Sequence, residues 1–328
     1  MSATPMLAAL YDRHGPAAEV LKVVEVERPE PGPGQVRVRM QLSGINPTDW
    51  KSRGGMTPRP MDGFQIPHHD GAGVIDAVGA GVDQSRVGER VWTWLAASGN
   101  PWGTAAQWCV LPSRQAVLLP DGASAELGAC LGVPAMTAHR CLFADGPVDG
   151  KNVLVAGGAG AVGHFAIELA KFGNARVAAT VSGPQKAELA RQAGADLVVN
   201  YRDSDAAAQL KAFAPQMDRI VELALGANLE LDLAVAGPQT YIVDYAAEPA
   251  DPVLPVRKCM NANVTLRFVL LYNFPAEALD QATADIDAAL ASEALTALPV
   301  ITFPLDQVAK AHDAVEAGAV GKVVLEIP

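Results

Sequence analysis

The segment from Lys151 to Tyr201 constrains the fold more than any other part of this 328-residue chain. Asn152-Val153-Leu154-Val155-Ala156 is a short apolar run with the pattern of a buried strand. Gly157-Gly158-Ala159-Gly160-Ala161-Val162-Gly163 follows, and a helical pattern opens at His164-Phe165-Ala166-Ile167-Glu168-Leu169-Ala170-Lys171. A second strand pattern, Arg176-Val177-Ala178-Ala179-Thr180, comes next. Gly158, Gly160 and Gly163 therefore stand in G-x-G-x-x-G spacing between a strand and a helix, the context that makes this spacing informative. The first glycine is expected to turn the chain, the second to admit a pyrophosphate, and the third to let helix pack on strand. The helix N-terminus is expected to supply unpaired N–H groups and a positive dipole end for the anion, with Ala161, Val162 and Gly163 among the cofactor contacts. The alternative is a tight turn whose small residues serve packing only.

An NAD-binding unit carries an acid at the end of its second strand, where it holds the ribose 2′-hydroxyl. Here that strand runs into Thr180-Val181-Ser182-Gly183-Pro184-Gln185-Lys186, and no acid stands between Lys171 and Lys186. A carboxylate would repel a 2′-phosphate, so its absence beside Ser182 and Lys186 points to NADPH. Tyr201 and Arg202 end the third strand, Leu197-Val198-Val199-Asn200, on the same sheet edge. There the tyrosine can cover the adenine ribose and the arginine fork can pair with the phosphate. Plain surface charge is the alternative for Lys186 and Arg202.

Composition narrows the partners. Apolar residues make up 50% and charged residues 19% of the chain, a globular profile rather than a disordered one. The net charge of −11 argues against general affinity for nucleic acid or anionic membrane. Cys109, Cys130, Cys141 and Cys259 are scattered without Cys-x-x-Cys spacing, so neither a disulfide framework nor a zinc loop is expected. Reduced thiols, no signal-peptide pattern in Met1-Ser2-Ala3-Thr4-Pro5 and no apolar run of spanning length together lead to a cytoplasmic expectation.

The first 125 residues read differently from the middle. Short strand patterns lie at 20–26, 35–42, 73–78, 90–94, 105–111 and 116–119, punctuated by Gly and Pro. Arg28-Pro29-Glu30-Pro31-Gly32-Pro33-Gly34 cannot continue a sheet ladder and reads as a turn. From Ala125 strands alternate with helices, at 153–156, 176–181, 196–200, 219–223, 240–244 and 264–269. That alternation predicts an α/β chain: a doubly wound parallel Rossmann sheet over residues 126–269 and a β-rich, barrel-like lobe from 1–125 with 270–328. The tail carries an amphipathic helix near Asp306–Ala317 and a last strand, Lys322–Ile327, which returns to the first lobe.

With both lobes in view, the chain resembles the zinc-free quinone oxidoreductase branch of the medium-chain dehydrogenase/reductase superfamily over nearly its full length. The carrying segments are Gly44-Ile45-Asn46-Pro47-Thr48-Asp49-Trp50-Lys51, Pro67-His68-His69-Asp70-Gly71-Ala72-Gly73-Val74 and Val87-Gly88-Glu89-Arg90-Val91-Trp92. Gly103-Thr104-Ala105-Ala106-Gln107, Gly132-Val133-Pro134-Ala135-Met136-Thr137-Ala138, the glycine loop, Ala193-Gly194-Ala195-Asp196 and Gly321-Lys322-Val323-Val324-Leu325 complete the set. The resemblance implies a GroES-like first lobe and gives the residues matching Lys186 and Tyr201 to the NADPH phosphate. It also places Thr137 in a cofactor-facing loop and Tyr245 and Leu270 after the strands nearest the nicotinamide.

Zinc alcohol dehydrogenases of the superfamily hold their metal with Cys, His and a third ligand around one open position. Asn46 stands at the first of these positions and Val133 at the third, leaving only His69, followed by Asp70. A site rebuilt from His68, His69 and Asp70 is disfavoured, because consecutive residues of an extended chain point apart. No metal is expected. Hydride transfer from NADPH to a quinone or an α,β-unsaturated carbonyl needs donors for the developing oxyanion rather than a Lewis acid. Asn46 and Lys51 are the candidate catalytic residues, and the Asn-Pro-x-Asp-x-Lys form looks more like enal and enone reductases than strict quinone reductases. Asn46-Pro47-Thr48-Asp49 is equally a helix start, with Asn at the cap, Pro at N1 and Asp at N3. Trp94, Trp102 and His69 are candidate walls for a flat substrate, with core packing the alternative for the tryptophans. An alcohol dehydrogenase or ketone reductase of the same fold, and a non-enzymatic NADPH-binding crystallin-like protein, are the competing readings. The resemblance implies a homodimer, and the apolar strand 264–269, expected at a sheet edge, offers an edge for it.

Overall fold

The computed structural model describes residues 4–57, 61, 63–248 and 250–328. Residues 1–3, the start of the segment read as lacking a signal sequence, lie outside the described residues. The chain divides into two units, Met1–Val133 with Ala297–Pro328, and Pro134–Thr296. The first contains β1 (Pro5–Leu10), β2 (Lys22–Glu27), β3 (Gln35–Gly44), β4 (Asp70–Val78), β5 (Arg90–Thr93), β6 (Trp108–Pro112) and β7 (Ala116–Leu118). The second contains β8 (Asn152–Ala156), β9 (Arg176–Val181), β10 (Leu197–Asn200), β11 (Met217–Glu222), β12 (Ala236–Asp244) and β13 (Thr265–Phe268). The first unit is completed by β14 (Val300–Pro304) and β15 (Lys322–Glu326).

The second unit is the doubly wound sheet that the alternation predicts. Its order, β10-β9-β8-β11-β12-β13, is parallel throughout and corresponds to 3-2-1-4-5-6. Val153 and Val155 of the central β8 are fully buried and Leu154 almost so, which is why this strand is continuously apolar instead of alternating. β13 is an edge, as expected of 264–269.

The first unit folds as an antiparallel-rich sheet, β14-β15-β3-β4-β5-β7, with β6 paired to β3 and a separate β1–β2 ribbon. Val36, Val38, Ile66, Ile75, Val91, Leu111 and Leu325 fill its core. The residues read as a strand from Val20 begin differently: Ala17–Val20 make one helical turn, and β2 starts at Lys22. The boundary expected at 270 moves to 297. Helix Ala276–Ala291 belongs to the second unit, with Leu279, Ala282, Ile286 and Ala289 buried and Asp285 bonded to His139 at 2.7 Å. Thr296 is tied to the same unit, its N–H donating to both carboxylate oxygens of Glu168 at 3.1 Å. An amphipathic helix announces that it packs, but not on which body.

β3 organises the polar centre of the first unit. Its last residue, Gly44, pairs with Asp70 of β4 on one side and with Val324 of β15 on the other. Asn46 lies two residues beyond Gly44 and Lys322 two residues before Val324, so the register delivers Asn46, Asp70 and Lys322 to one place. A Cβ on Gly44 would stand 2.1 Å from the Ala129 carbonyl oxygen and 2.9 Å from Lys322 Cε. Only glycine leaves room there for the lysine stem.

Candidate functional site

In the second unit the turn after β8 uses its glycines differently from the expected division of labour. Gly157, not Gly158, takes the left-handed backbone, with φ of 65°. Gly158 is needed for closeness: a Cβ there would stand 2.8 Å from that of Ala179 on β9, and its N–H donates to the Thr180 carbonyl at 3.0 Å. Gly163 packs the helix onto the turn, since a Cβ would lie 2.3 Å from the Gly157 carbonyl oxygen. Gly160 is the open position, where a Cβ would find only that oxygen at 3.4 Å. Helix Ala161–Phe172 starts directly after Gly160, without a side-chain cap. Its first amides, those of Ala161, Val162 and Gly163, have no partner within the helix by its geometry. The turn thus has the open backbone and the uncapped helix start that an anionic group requires.

The ends of β9 and β10 form the neighbouring edge. Tyr201 donates its N–H to the Val181 carbonyl at 3.1 Å, holding the two strand ends together. Ser182 follows β9, and Lys186 lies in the first turn of helix Pro184–Gln192. Tyr201 is 41% exposed, and the Arg202 guanidinium lies 5.6 Å from its ring centroid. Ser182, Lys186, Tyr201 and Arg202 are therefore brought to one edge, and Ser182-Gly183-Pro184-Gln185 adds no acid to it.

Farther along the same C-terminal edge, Tyr245 follows β12 and donates its N–H to the Glu222 carbonyl at 3.1 Å. Leu270, after β13, is 55% exposed, whereas Thr137 is buried in helix Met136–Phe143. Sequence reasoning missed the acids here. Glu222 Oε1 accepts from the N–H groups of Leu223 and Ala224 at 2.6 Å and from Asn228 Nδ2 at 2.9 Å. Burial, then the adjacent Glu222 carboxylate, pushes the Asp232 carboxyl well above the usual range. Burial also pushes Asp244 up to about 6. For Glu222 and Asp244 the available signal was an acid ending an apolar strand.

In the first unit the polar cluster is buried. Asn46, Asp70 and Lys322 are 3%, 0% and 2% exposed. Asn46 Nδ2 donates to Asp70 Oδ2 at 2.6 Å, and Lys322 Nζ donates to Asn46 Oδ1 at 2.7 Å and to Asp70 Oδ2 at 3.1 Å. Asp70 Oδ1 accepts from the Val133 N–H at 2.7 Å. Gly132 permits that approach, since a Cβ there would stand 2.2 Å from Asp70 Oδ1. Asn46 does precede helix Pro47–Arg53 and forms a capping box with Asp49, whose carboxylate accepts from the Asn46 N–H at 2.7 Å. The Asn46 amide nevertheless serves Asp70 and Lys322. Lys51 does not join this cluster; its ammonium lies 6.0 Å from the Trp50 ring centroid.

A one-way hydrogen-bond chain backs Asp70. Thr104 must donate its hydroxyl to the Asp70 carbonyl at 2.6 Å, so Ser43 donates to Thr104 at 2.7 Å. His68 Nδ1 then donates to Ser43 at 2.8 Å, which leaves His68 Nε2 to accept from His312 Nε2 at 2.9 Å. His312 Nδ1, without a partner among the described residues, is the remaining bare nitrogen. Burial, then His312, His69 and Lys322, holds His68 well below the ordinary histidine value. Burial and Arg53 bring His312 down to about 3. A histidine whose folded value is depressed binds fewer protons folded than unfolded, so stability falls as pH drops below about 6.5. His312 alone is expected to cost about 2 kcal/mol between about pH 6.5 and about pH 5. Urea unfolding at the two pH values checks this, and His312→Gln should flatten the acid limb; identical limbs in both proteins would refute it.

His69 is 3% exposed and joins Tyr11, His14, Asp49, Ser52 and Gln65 in lining a pocket of this unit. Of the tryptophans, read as substrate walls or as core, Trp94 is 1% exposed, lies beneath the Arg114 guanidinium at 5.2 Å and belongs to the interior. Trp102 is half-buried, edge-on to Phe64 with centroids 5.4 Å apart, and packs against the core.

These residues do not fit a catalytic zinc. Both Asp70 oxygens are engaged, an ammonium sits on Asn46, and position 133 contributes a backbone N–H. His68 has both ring nitrogens engaged, by Ser43 and by His312. Among the described residues no three His, Cys, Asp or Glu side chains converge on a metal position.

Comparison with known proteins agrees with both units. The model for the alcohol dehydrogenase GroES-like domain matches residues 32–121, and that for zinc-binding dehydrogenases matches 161–288. A guanaco (Lama guanicoe) quinone oxidoreductase is 30% identical over 94% of this chain and 93% of its own length. A spinach (Spinacia oleracea) chloroplastic quinone-oxidoreductase homolog is 34% identical over 72% of this chain and 74% of its own. A mycobacterial protein solved in complex with NADPH superposes with a TM-score of 0.84 at 28% identity, covering 98% and 99% of the two chains. Two-unit architecture, strand order, glycine turn and full-length likeness converge: the chain belongs to the quinone oxidoreductase branch of the medium-chain dehydrogenase/reductase superfamily, a family of NAD(P)-dependent oxidoreductases.

Proposed function

We propose that the protein is a metal-free, NADPH-dependent reductase of quinones or conjugated enals and enones. The observation that carries this reading is the Asn46–Asp70–Lys322 cluster, in which the amide at the first zinc-ligand position of the superfamily is held by a carboxylate and an ammonium. NADPH, when bound, supplies the hydride. The open turn at Gly158, Gly160 and Gly163, with the amides of Ala161 and Val162, takes the pyrophosphate. Ser182, Lys186, Tyr201 and Arg202 take the 2′-phosphate and its ribose, and Thr137, Tyr245 and Leu270 serve the nicotinamide end. Asn46 donates to the carbonyl oxygen as negative charge develops on it, and Lys51 supplies a proton from the adjacent helix. His69 forms part of the substrate-side wall. The four cysteines are free thiols, which suits a reducing cytoplasm. Among the described residues no helix is long and apolar enough to cross a membrane.

The test is turnover of a panel of quinones, enals and enones with NADPH and with NADH, each with and without a chelator. NADPH-preferring, chelator-insensitive reduction is expected. Activity on none of the panel, or about one tightly bound zinc per chain with chelator-sensitive alcohol oxidation, overturns the reading.

A homodimer belongs to the same proposal. β13 is the free edge of the parallel sheet, Phe268 on it is 65% exposed, and nearby Met260 and Val256 are 73% and 62% exposed. An edge strand flanked by apolar side chains favours pairing with its twin. Light scattering at micromolar concentration should give twice the chain mass; a monomer refutes it.

A further inference from the structure

We infer that Lys322 is a positioning residue that locks the Asn46 side-chain amide in the one orientation able to donate to a substrate oxyanion. This rests on the reductase reading and adds to it a group from the far end of the chain.

The argument starts from an oddity of burial. Lys322 opens an apolar strand, Lys322-Val323-Val324-Leu325, and is only 2% exposed, as deep as its neighbours. A buried Lys–Asp pair is a poor stabilising device, since well-packed apolar residues commonly do as well in its place. The pair is better explained by what it holds. An asparagine amide can flip, exchanging its oxygen and nitrogen. Here the ammonium has only donors and the Asp70 carboxylate only acceptors, so one flip alone satisfies both. Asn46 Oδ1 must face Lys322 at 2.7 Å and Nδ2 must face Asp70 at 2.6 Å.

The hydrogen count then matters. Nδ2 carries two hydrogens, and Asp70 takes one of them, leaving the second to donate. The opposite flip would set Oδ1 against the Asp70 carboxylate and the amide hydrogens against the ammonium. An ammonium on Oδ1 also polarises the amide and makes the remaining N–H a stronger donor. That donor is held by groups fixed before reaction, as stabilisation of a developing oxyanion requires. The Gly44 gap admits the lysine stem, and the Val133 N–H steadies the other Asp70 oxygen at 2.7 Å.

The test uses Lys322→Met combined with Asp70→Asn, which removes both buried charges together, and Lys322→Arg as the conservative variant. Two readouts are taken: kcat and KM for an enone with NADPH, and the nuclear magnetic resonance signals of the Asn46 side-chain amide. The paired variant is expected to lose about 100-fold in kcat with NADPH affinity within about twofold. Its Asn46 amide protons should exchange with water at least about tenfold faster. Lys322→Arg should recover part of both. Adding Asn46→Ala to the paired variant should cost no further turnover, because the groups act through one donor. Unchanged Asn46 signals, or fully additive losses, overturn the inference. If the wild type reduces nothing in the panel, the reductase reading fails by itself. The amide signals then decide alone, freed protons supporting the lock and unchanged ones refuting it.

Discussion

Asn46→Ala is expected to lower kcat for a conjugated enone by about 10²–10³-fold, the usual loss for one oxyanion donor. NADPH affinity should stay within about twofold, because the cofactor residues named above lie on the other unit. The fold should survive for two reasons visible in the cluster. The Lys322–Asp70 pair at 3.1 Å keeps both buried charges compensated. Asp49 still accepts from the backbone N–H of residue 46, which truncation does not remove. A modest fall in Tm is expected from the lost amide bonds. Steady-state turnover at saturating NADPH, a fluorescence titration of NADPH and a thermal melt give the three readings. Wild-type kcat with lowered Tm would make Asn46 a structural residue only. Lys51→Ala enters the same assay with a smaller expected drop, since its ammonium stands over Trp50 and outside the buried cluster.

Lys186→Glu is expected to weaken NADPH binding by roughly 10–150-fold, the span of a lost charge-assisted contact of about 1.5–3 kcal/mol. NADH binding should change little or improve. The reason is geometric. Helix Pro184–Gln192 begins right after Ser182 and presents residue 186 in its first turn, beside the edge shared by Tyr201 and Arg202. A carboxylate there restores the negative charge that this chain lacks at the end of β9. Arg202 stays in place and keeps part of the phosphate attraction, so the cofactor preference should narrow or reverse rather than vanish. Paired titrations with NADPH and NADH on both proteins decide it. An unchanged ratio of the two affinities would remove Lys186 from the phosphate site.

What the sequence determined by itself was local and periodic. β8, β9, β10 and β11 fall within two residues of the runs read from apolar patterning, and the glycine turn sits where strand and helix patterns meet. The acid-free end of β9 was equally legible, because cofactor preference there depends on residues close in sequence. β1 and β14 were not legible. Pro5-Met6-Leu7-Ala8-Ala9-Leu10 has no alternation, since Ala8 and Ala9 are both fully buried. Val300–Pro304 is a short edge strand with proline at its end. The shift of the left-handed backbone to Gly157 also escaped the motif.

Tertiary structure alone decided the polar centre. Lys322 meets Asp70 and Asn46 across 252 and 276 residues, and His312 meets His68 across 244. Patterning reports which face of a strand is buried, not which strand lies beside it. Here β15, from the end of the chain, lies against β3, and that register sets a lysine on an asparagine that otherwise reads as a helix cap. Asn46 could be read as cap or donor from sequence because both roles use the same residue beside the same proline. The structure keeps the helix start and adds long-range partners to the amide. One hydrogen goes to Asp70, the oxygen to Lys322, and one hydrogen remains for an acceptor.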